Sequence, residues 1–188
     1  MPSTPAASPC YFWFKMAVFA LLACNVVFFC VFGTFSQALD AIAWLILLVL
    51  FELETGYGDR LRGRRAAAVV RGIRLVAAAG IIAAALGYVF EREWLDAVNS
   101  MLWIAVVAVL EFEVRYPHAV ERNRAWFAGV ATTLYTGLAA LVLVWAWRGE
   151  WFDAYDALLW LVAFVTIEIN VLQISREDYP GAVAETRG

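Results

Sequence analysis

The chain has 188 residues, of which 64% are hydrophobic and 16% charged, and a formal net charge of −3 at pH 7. Soluble domains sit near half apolar and about a quarter charged, so the composition excludes an ordinary soluble domain and points to a polytopic membrane protein. One histidine, His118, and three cysteines without metal or redox spacing exclude bis-His haem ligation, a His-rich metal site and Cys-His chemistry.

Residues 1–11, rich in Pro, Ser and Ala, read as a disordered cytoplasmic tail. Six apolar runs follow, at about 12–34, 38–57, 68–90, 95–114, 125–147 and 152–174. Each approaches the ~20 residues a helix needs to cross the hydrocarbon core. Short connections make consecutive runs antiparallel hairpins, over 12–60, 69–118 and 124–175. Residues 176–188 form a polar cytoplasmic tail. The fold class expected is all-α: six transmembrane helices, arranged as three repeated hairpins about a pseudo-threefold axis.

The first run carries Lys15 near its start and Asn25 at its middle, a residue suited to a hydrogen bond between helices. Cys24 and Cys30 lie on different faces and read as small apolar fillers. Leu21-Leu22-Ala23-Cys24 resembles a lipoprotein cleavage site, but cleavage there would destroy the first helix.

The second run holds Asp40, Trp44, Glu52 and Glu54. The same pattern returns 59 residues later as Asn99, Trp103, Glu111 and Glu113, and 57 residues after that as Asp156, Trp160, Glu168 and Asn170. A recurrence in register means one structural unit used three times. It extends upstream: Phe35, Trp94 and Trp151 align, then Gln37, Asp96 and Asp153. The aromatic residues suit an interface anchor. Asp40, Asn99 and Asp156 suit the outer mouth, or the N-caps of the even-numbered helices.

Between the hairpins the segment from Gly58 to Ala66 is basic and reads as a cytoplasmic loop against anionic headgroups. Arg74 stands 59 residues after Lys15, and the third copy has Ala131 there. Where that cation is lost, Asn170 replaces an acid, which predicts the ion pairs Lys15–Glu54 and Arg74–Glu113. The run Ala77–Ala85 gives the third helix a small-residue face for close packing. In the fifth run Thr132, Thr133, Tyr135 and Thr136 are further candidates for bonds between helices.

Twelve of the 14 Lys and Arg fall on the side of the termini and the even-numbered loops. The positive-inside rule then places both termini in the cytoplasm, in the cell (inner) membrane. The opposite side carries seven acids, Asp40, Glu91, Glu93, Asp96, Glu150, Asp153 and Asp156, against Arg92 and Arg148. An acidic mouth attracts cations, though loop solvation also accounts for such residues.

Charged groups within spanning segments are costly and mark function by default. If the even-numbered helices face a common axis, Glu52, Glu111 and Glu168 form a ring, with Glu54, Glu113 and Asn170 beside it. Carboxylate rings select cations, and crowding in a low dielectric favours shared protons. The expected function is therefore a cation-conducting or proton-coupled channel, transporter or subunit of one. Its partners would be the lipid bilayer, cations or protons, and a homo-oligomer or other membrane subunits. No enzyme activity, cofactor or nucleic acid is expected, and no metal is named. The alternative is an accessory subunit or scaffold of a larger, energy-transducing complex, with its carboxylates in structural ion pairs.

Overall fold

A computed structural model describes the backbone of residues 9–61 and 63–177, and side chains lying within 13–165. Seven helices run along it: α1 (Pro9–Phe32), α2 (Phe35–Leu61), α3 (Arg64–Glu91), α4 (Trp94–Arg115), α5 (Pro117–Arg122), α6 (Arg124–Arg148) and α7 (Trp151–Glu177). No strand occurs among the described residues. Five segments are long and apolar enough to cross a membrane: Trp13–Phe32, Phe35–Glu54, Arg65–Glu91, Trp94–Glu113 and Arg124–Arg148.

The turns between paired helices are built from standard helix-end chemistry. The α1–α2 turn is a capping box: the Gln37 amide donates to Thr34 Oγ1 (3.3 Å) and the Thr34 amide to Gln37 Oε1 (3.0 Å). Both α3 and α6 end in Schellman geometry. Arg92 (φ 65°) and Gly149 (φ 80°) take the left-handed conformation. The Glu93 and Glu150 amides then reach back to the carbonyls of Tyr88 (2.9 Å) and Trp145 (3.0 Å).

Each long helix packs on the next, α1 on α2, α2 on α3, α3 on α4, α4 on α6 and α6 on α7, and α7 returns to α1. The helices thus close into a ring, with α5 bridging α4 and α6. Inside it lie Ala43, Trp44, Ile81, Trp103, Val106 and Leu138, with Leu47, Leu110, Trp160 and Phe164 packed on them. Large apolar side chains such as Val76, Phe90, Leu143 and Trp147 remain exposed around the outside. That is the pattern of a helix bundle that is apolar on both its inner and outer faces.

The small face of α3 packs against α2. Ala84 is fully buried. A Cβ added at Gly80 would meet Ala43, and one at Gly87 would fall on Ser36 Oγ.

One expectation about the connections is corrected. The described residues of the basic segment 58–66 are helical apart from Gly63, because α2 runs to Leu61 and α3 begins at Arg64. The connection from α4 to α6 is helical as well, over Pro117–Arg122. Pro at the first position, where its missing amide hydrogen has no cost, starts the short helix α5. The terminal residues 1–8 and 178–188 lie outside the described residues.

Candidate functional site

Phe35, Trp94 and Trp151 are the first residues of α2, α4 and α7. The repeated positions downstream therefore enter each helix at the same depth. The polar members Gln37, Asp96 and Asp153 sit in the first turn, Asp40, Asn99 and Asp156 one turn deeper, and Trp44, Trp103 and Trp160 one turn deeper again. All nine line a single cavity of about 50 Å³, together with Tyr88 and Trp145. Above it a larger cavity of about 400 Å³ shares Gln37, Asp96, Trp145 and Asp153 and adds Thr34, Arg92, Arg148 and Glu150 at its rim.

This placement corrects the N-cap reading of Asp40, Asn99 and Asp156. Each lies a full turn inside its helix, too deep to reach the free amides of the first turn. At α2 the capping is done by Thr34. At α4 the N-cap residue is Glu93, which makes no side-chain cap bond.

The carboxylates are held by neutral donors. Asp40 accepts the indole N–H of Trp44 at Oδ1 (3.1 Å) and the hydroxyl of Tyr88 at Oδ2 (3.4 Å). Asp156 Oδ1 accepts Asn25 Nδ2 from α1 at 2.7 Å. Asp96 Oδ2 accepts Gln37 Nε2 at 3.4 Å. Ion pairs among the described residues include Lys15–Glu52, Arg74–Glu54, Arg115–Glu111, His118–Glu121 and Arg148–Glu150. None of them involves Asp40, Asp96, Asp153 or Asp156. Asn99 Oδ1 is buried without a hydrogen-bond partner, a rare state for a native polar atom.

The indoles form the floor. Trp44 lies with its ring centroid 6.2 Å from that of Trp103 and 6.3 Å from that of Trp160. Phe164 wedges against Trp103 at 4.6 Å. Below them the axis is filled by Leu47, Val106, Leu110 and Leu138.

The acids expected to form a ring stand elsewhere. Glu52 is held by Lys15. Glu111 is exposed and pairs with Arg115 one turn along its own helix (2.8 Å). The side chains of Glu168 and Asn170 lie outside the described residues. The expected pairings of Lys15 and Arg74 also change. Lys15 takes Glu52 in place of Glu54, and Arg74 reaches back to Glu54 in place of Glu113. The reason for the second is the close α2–α3 packing, which brings Arg74 against α2.

Asn25 makes the predicted bond between helices, whereas Thr133 instead donates to the carbonyl of Gly129 in its own helix (2.8 Å). Cys24 and Cys30 are exposed free thiols. Sequence reasoning missed Tyr88, whose only signal is a phenol within an apolar run. It placed Asp96 and Asp153 at an acidic outer mouth, and recorded Gln37 only as a repeat position. Among the described residues no group of three or more His, Cys, Asp and Glu is arranged to hold a metal ion. No known protein family, curated protein or solved structure matches the chain.

Proposed function

We propose that this chain is an integral membrane protein of six spans, with α7 as the sixth. Three quasi-equivalent hairpins surround a pseudo-threefold axis, and both termini face the cytoplasm of a cell (inner) membrane. It takes a cation from the external face into the tiered pocket, as a channel or proton-coupled transporter or a subunit of one. The carboxylates that act are Asp40 and Asp156, with Asn99 between them and Asp96 and Asp153 at the entrance. Glu52 and Glu111 serve as structural ion-pair members.

One observation carries this reading: four aspartates line the cavities, and none has an ion-pair partner among the described residues. A carboxylate removed from water without a counter-charge is expensive. Each of the Glu residues Glu52, Glu54, Glu111 and Glu150 has its own cation. The pocket therefore stands apart as the place where positive charge is wanting. Its wide acidic entrance concentrates cations by focusing the field.

The test is flux in liposomes. Asp40→Asn and Asp156→Asn should each lower cation or proton flux about tenfold, equivalent to roughly 1.4 kcal/mol of lost stabilisation. Glu52→Gln and Glu111→Gln should leave it near wild type. Flux no greater than in empty liposomes would remove the transport reading.

A second reading is favoured by the indole floor, beneath which the axis is packed with apolar side chains. In it the chain is an accessory subunit that binds a cation without passing it. Such a subunit would copurify with other membrane chains in fixed stoichiometry after mild solubilisation.

A further inference from the structure

The pocket combines two features that together define a class of cation. Its floor is three indoles, Trp44, Trp103 and Trp160, all lining one small cavity. Its wall is a tier of three oxygen acceptors on three different helices, Asp40, Asn99 and Asp156. An ammonium group presents N–H donors in several directions and no acceptor. Aromatic faces attract such cations through the ring quadrupole.

The acceptors have capacity to spare. Each carboxylate oxygen of Asp40 already takes one neutral donor, and each keeps a second lone pair. Asn99 Oδ1 is buried with no donor at all. That orphan acceptor can take an N–H donor or coordinate a bare cation, and it is the aromatic lining beside it that favours an ammonium with an apolar body over a bare alkali ion. Divalent ions fit poorly: Ca²⁺ takes 6–8 oxygen ligands and Mg²⁺ a near-octahedral set, whereas indoles occupy the floor. The cavity of about 50 Å³ admits a group of a few heavy atoms, since a single water needs about 10–15 Å³ on the same measure.

We propose that the pocket binds a compact ammonium cation, ammonium itself or a short primary alkylammonium. Its N–H groups bond Asp40, Asn99 and Asp156, and its body rests on Trp44, Trp103 and Trp160. This rests on the cation-uptake reading above and names its ligand.

The experiment uses the full chain in lipid nanodiscs, titrated with methylammonium, potassium, sodium and tetramethylammonium chlorides at constant ionic strength. Intrinsic tryptophan fluorescence and the thermal midpoint are followed together. Methylammonium should give a saturable fluorescence change and raise the midpoint, with an apparent Kd at least about tenfold below that of sodium or potassium. Tetramethylammonium, which lacks N–H donors, should give no saturable response. Asn99→Ala should weaken methylammonium binding about fivefold or more while leaving the helical circular dichroism unchanged. Equal binding of potassium, or tight binding of tetramethylammonium, overturns the ammonium assignment and leaves cation uptake standing. No saturable response to any of the four salts overturns the ammonium assignment, and the liposome flux assay then decides the cation-uptake reading by itself. The selectivity series needs no variant, so it decides the matter even if Asn99→Ala does not fold.

Discussion

Asn25 of α1 donates its side-chain amide to Asp156 of α7 at 2.7 Å, across 131 residues of sequence. This bond joins the first helix to the last at the place where the ring closes. Asn25 itself is buried, so the bond is made where water competes little. It also sets one wall of the pocket, because Asp156 is a lining residue.

Replacing Asn25 by Ala should therefore loosen the α1–α7 seam. The expected loss is about 1–2 kcal/mol, the range for a hydrogen bond to a charged group tempered by what bonds between membrane helices deliver. Reversible unfolding in mixed micelles measures it. A variant as stable as wild type would mean that water in the cavity replaces the amide without loss.

The α2–α3 contact makes a sharper prediction. Gly87→Ala places a methyl group on Ser36 Oγ, with Ser36 Cβ only 3.1 Å away. Ser36 cannot swing off freely because its hydroxyl donates to Glu91 Oε1 at 2.6 Å. Overpacking of this kind costs about 1–3 kcal/mol. Adding Ser36→Ala should recover part of the loss. Gly129→Ala is the control: nothing lies within 4 Å of its added methyl. It should be neutral, or stabilising by up to about 1 kcal/mol, as Ala is the better helix former. Thermal midpoints of the four proteins check the order.

The two left-handed helix ends should respond in opposite ways. Arg92 holds φ 65° with a full side chain, a conformation that costs an L-residue roughly 1–2 kcal/mol. Arg92→Gly should raise stability by about 1 kcal/mol or slightly less, because glycine has more freedom to lose on folding. Gly149→Ala, at φ 80°, should lower it by about 1 kcal/mol. Paired unfolding curves test both, and a loss at Arg92→Gly would show that its side chain supports the cavity rim.

Much of the bundle is legible in the chain. Apolar runs locate the long helices, and the 59- and 57-residue offsets pick out the three tiers before any coordinates are seen. The choice of acids is where sequence reasoning goes astray. In a soluble helix the polar stripe shows which face looks outward. Here lipid and core are equally apolar, so periodicity sorts Glu52 from Trp44 without telling which of them meets the axis.

The depth of Asp40 is misread for a related reason. An N-cap and a residue one turn inside differ by a few positions, which is comparable to the uncertainty in locating a helix end. Thr34 and Gln37 carried the signal, as a Ser/Thr-x-x-Gln box placed just ahead. Partner choice for Arg74 depends on which neighbour packs closest. That follows from Gly80, Ala84 and Gly87 meeting α2, and helix adjacency is not written in spacing.

The indole floor has a consequence for the cell that would host this protein. With Trp44, Trp103, Trp160 and Phe164 meeting over packed Leu and Val side chains, the described side chains fill the axis beneath the pocket, and in the proposed membrane setting that plug would hold ions back in a resting copy. Large numbers of copies could then sit in an energised membrane without draining its voltage.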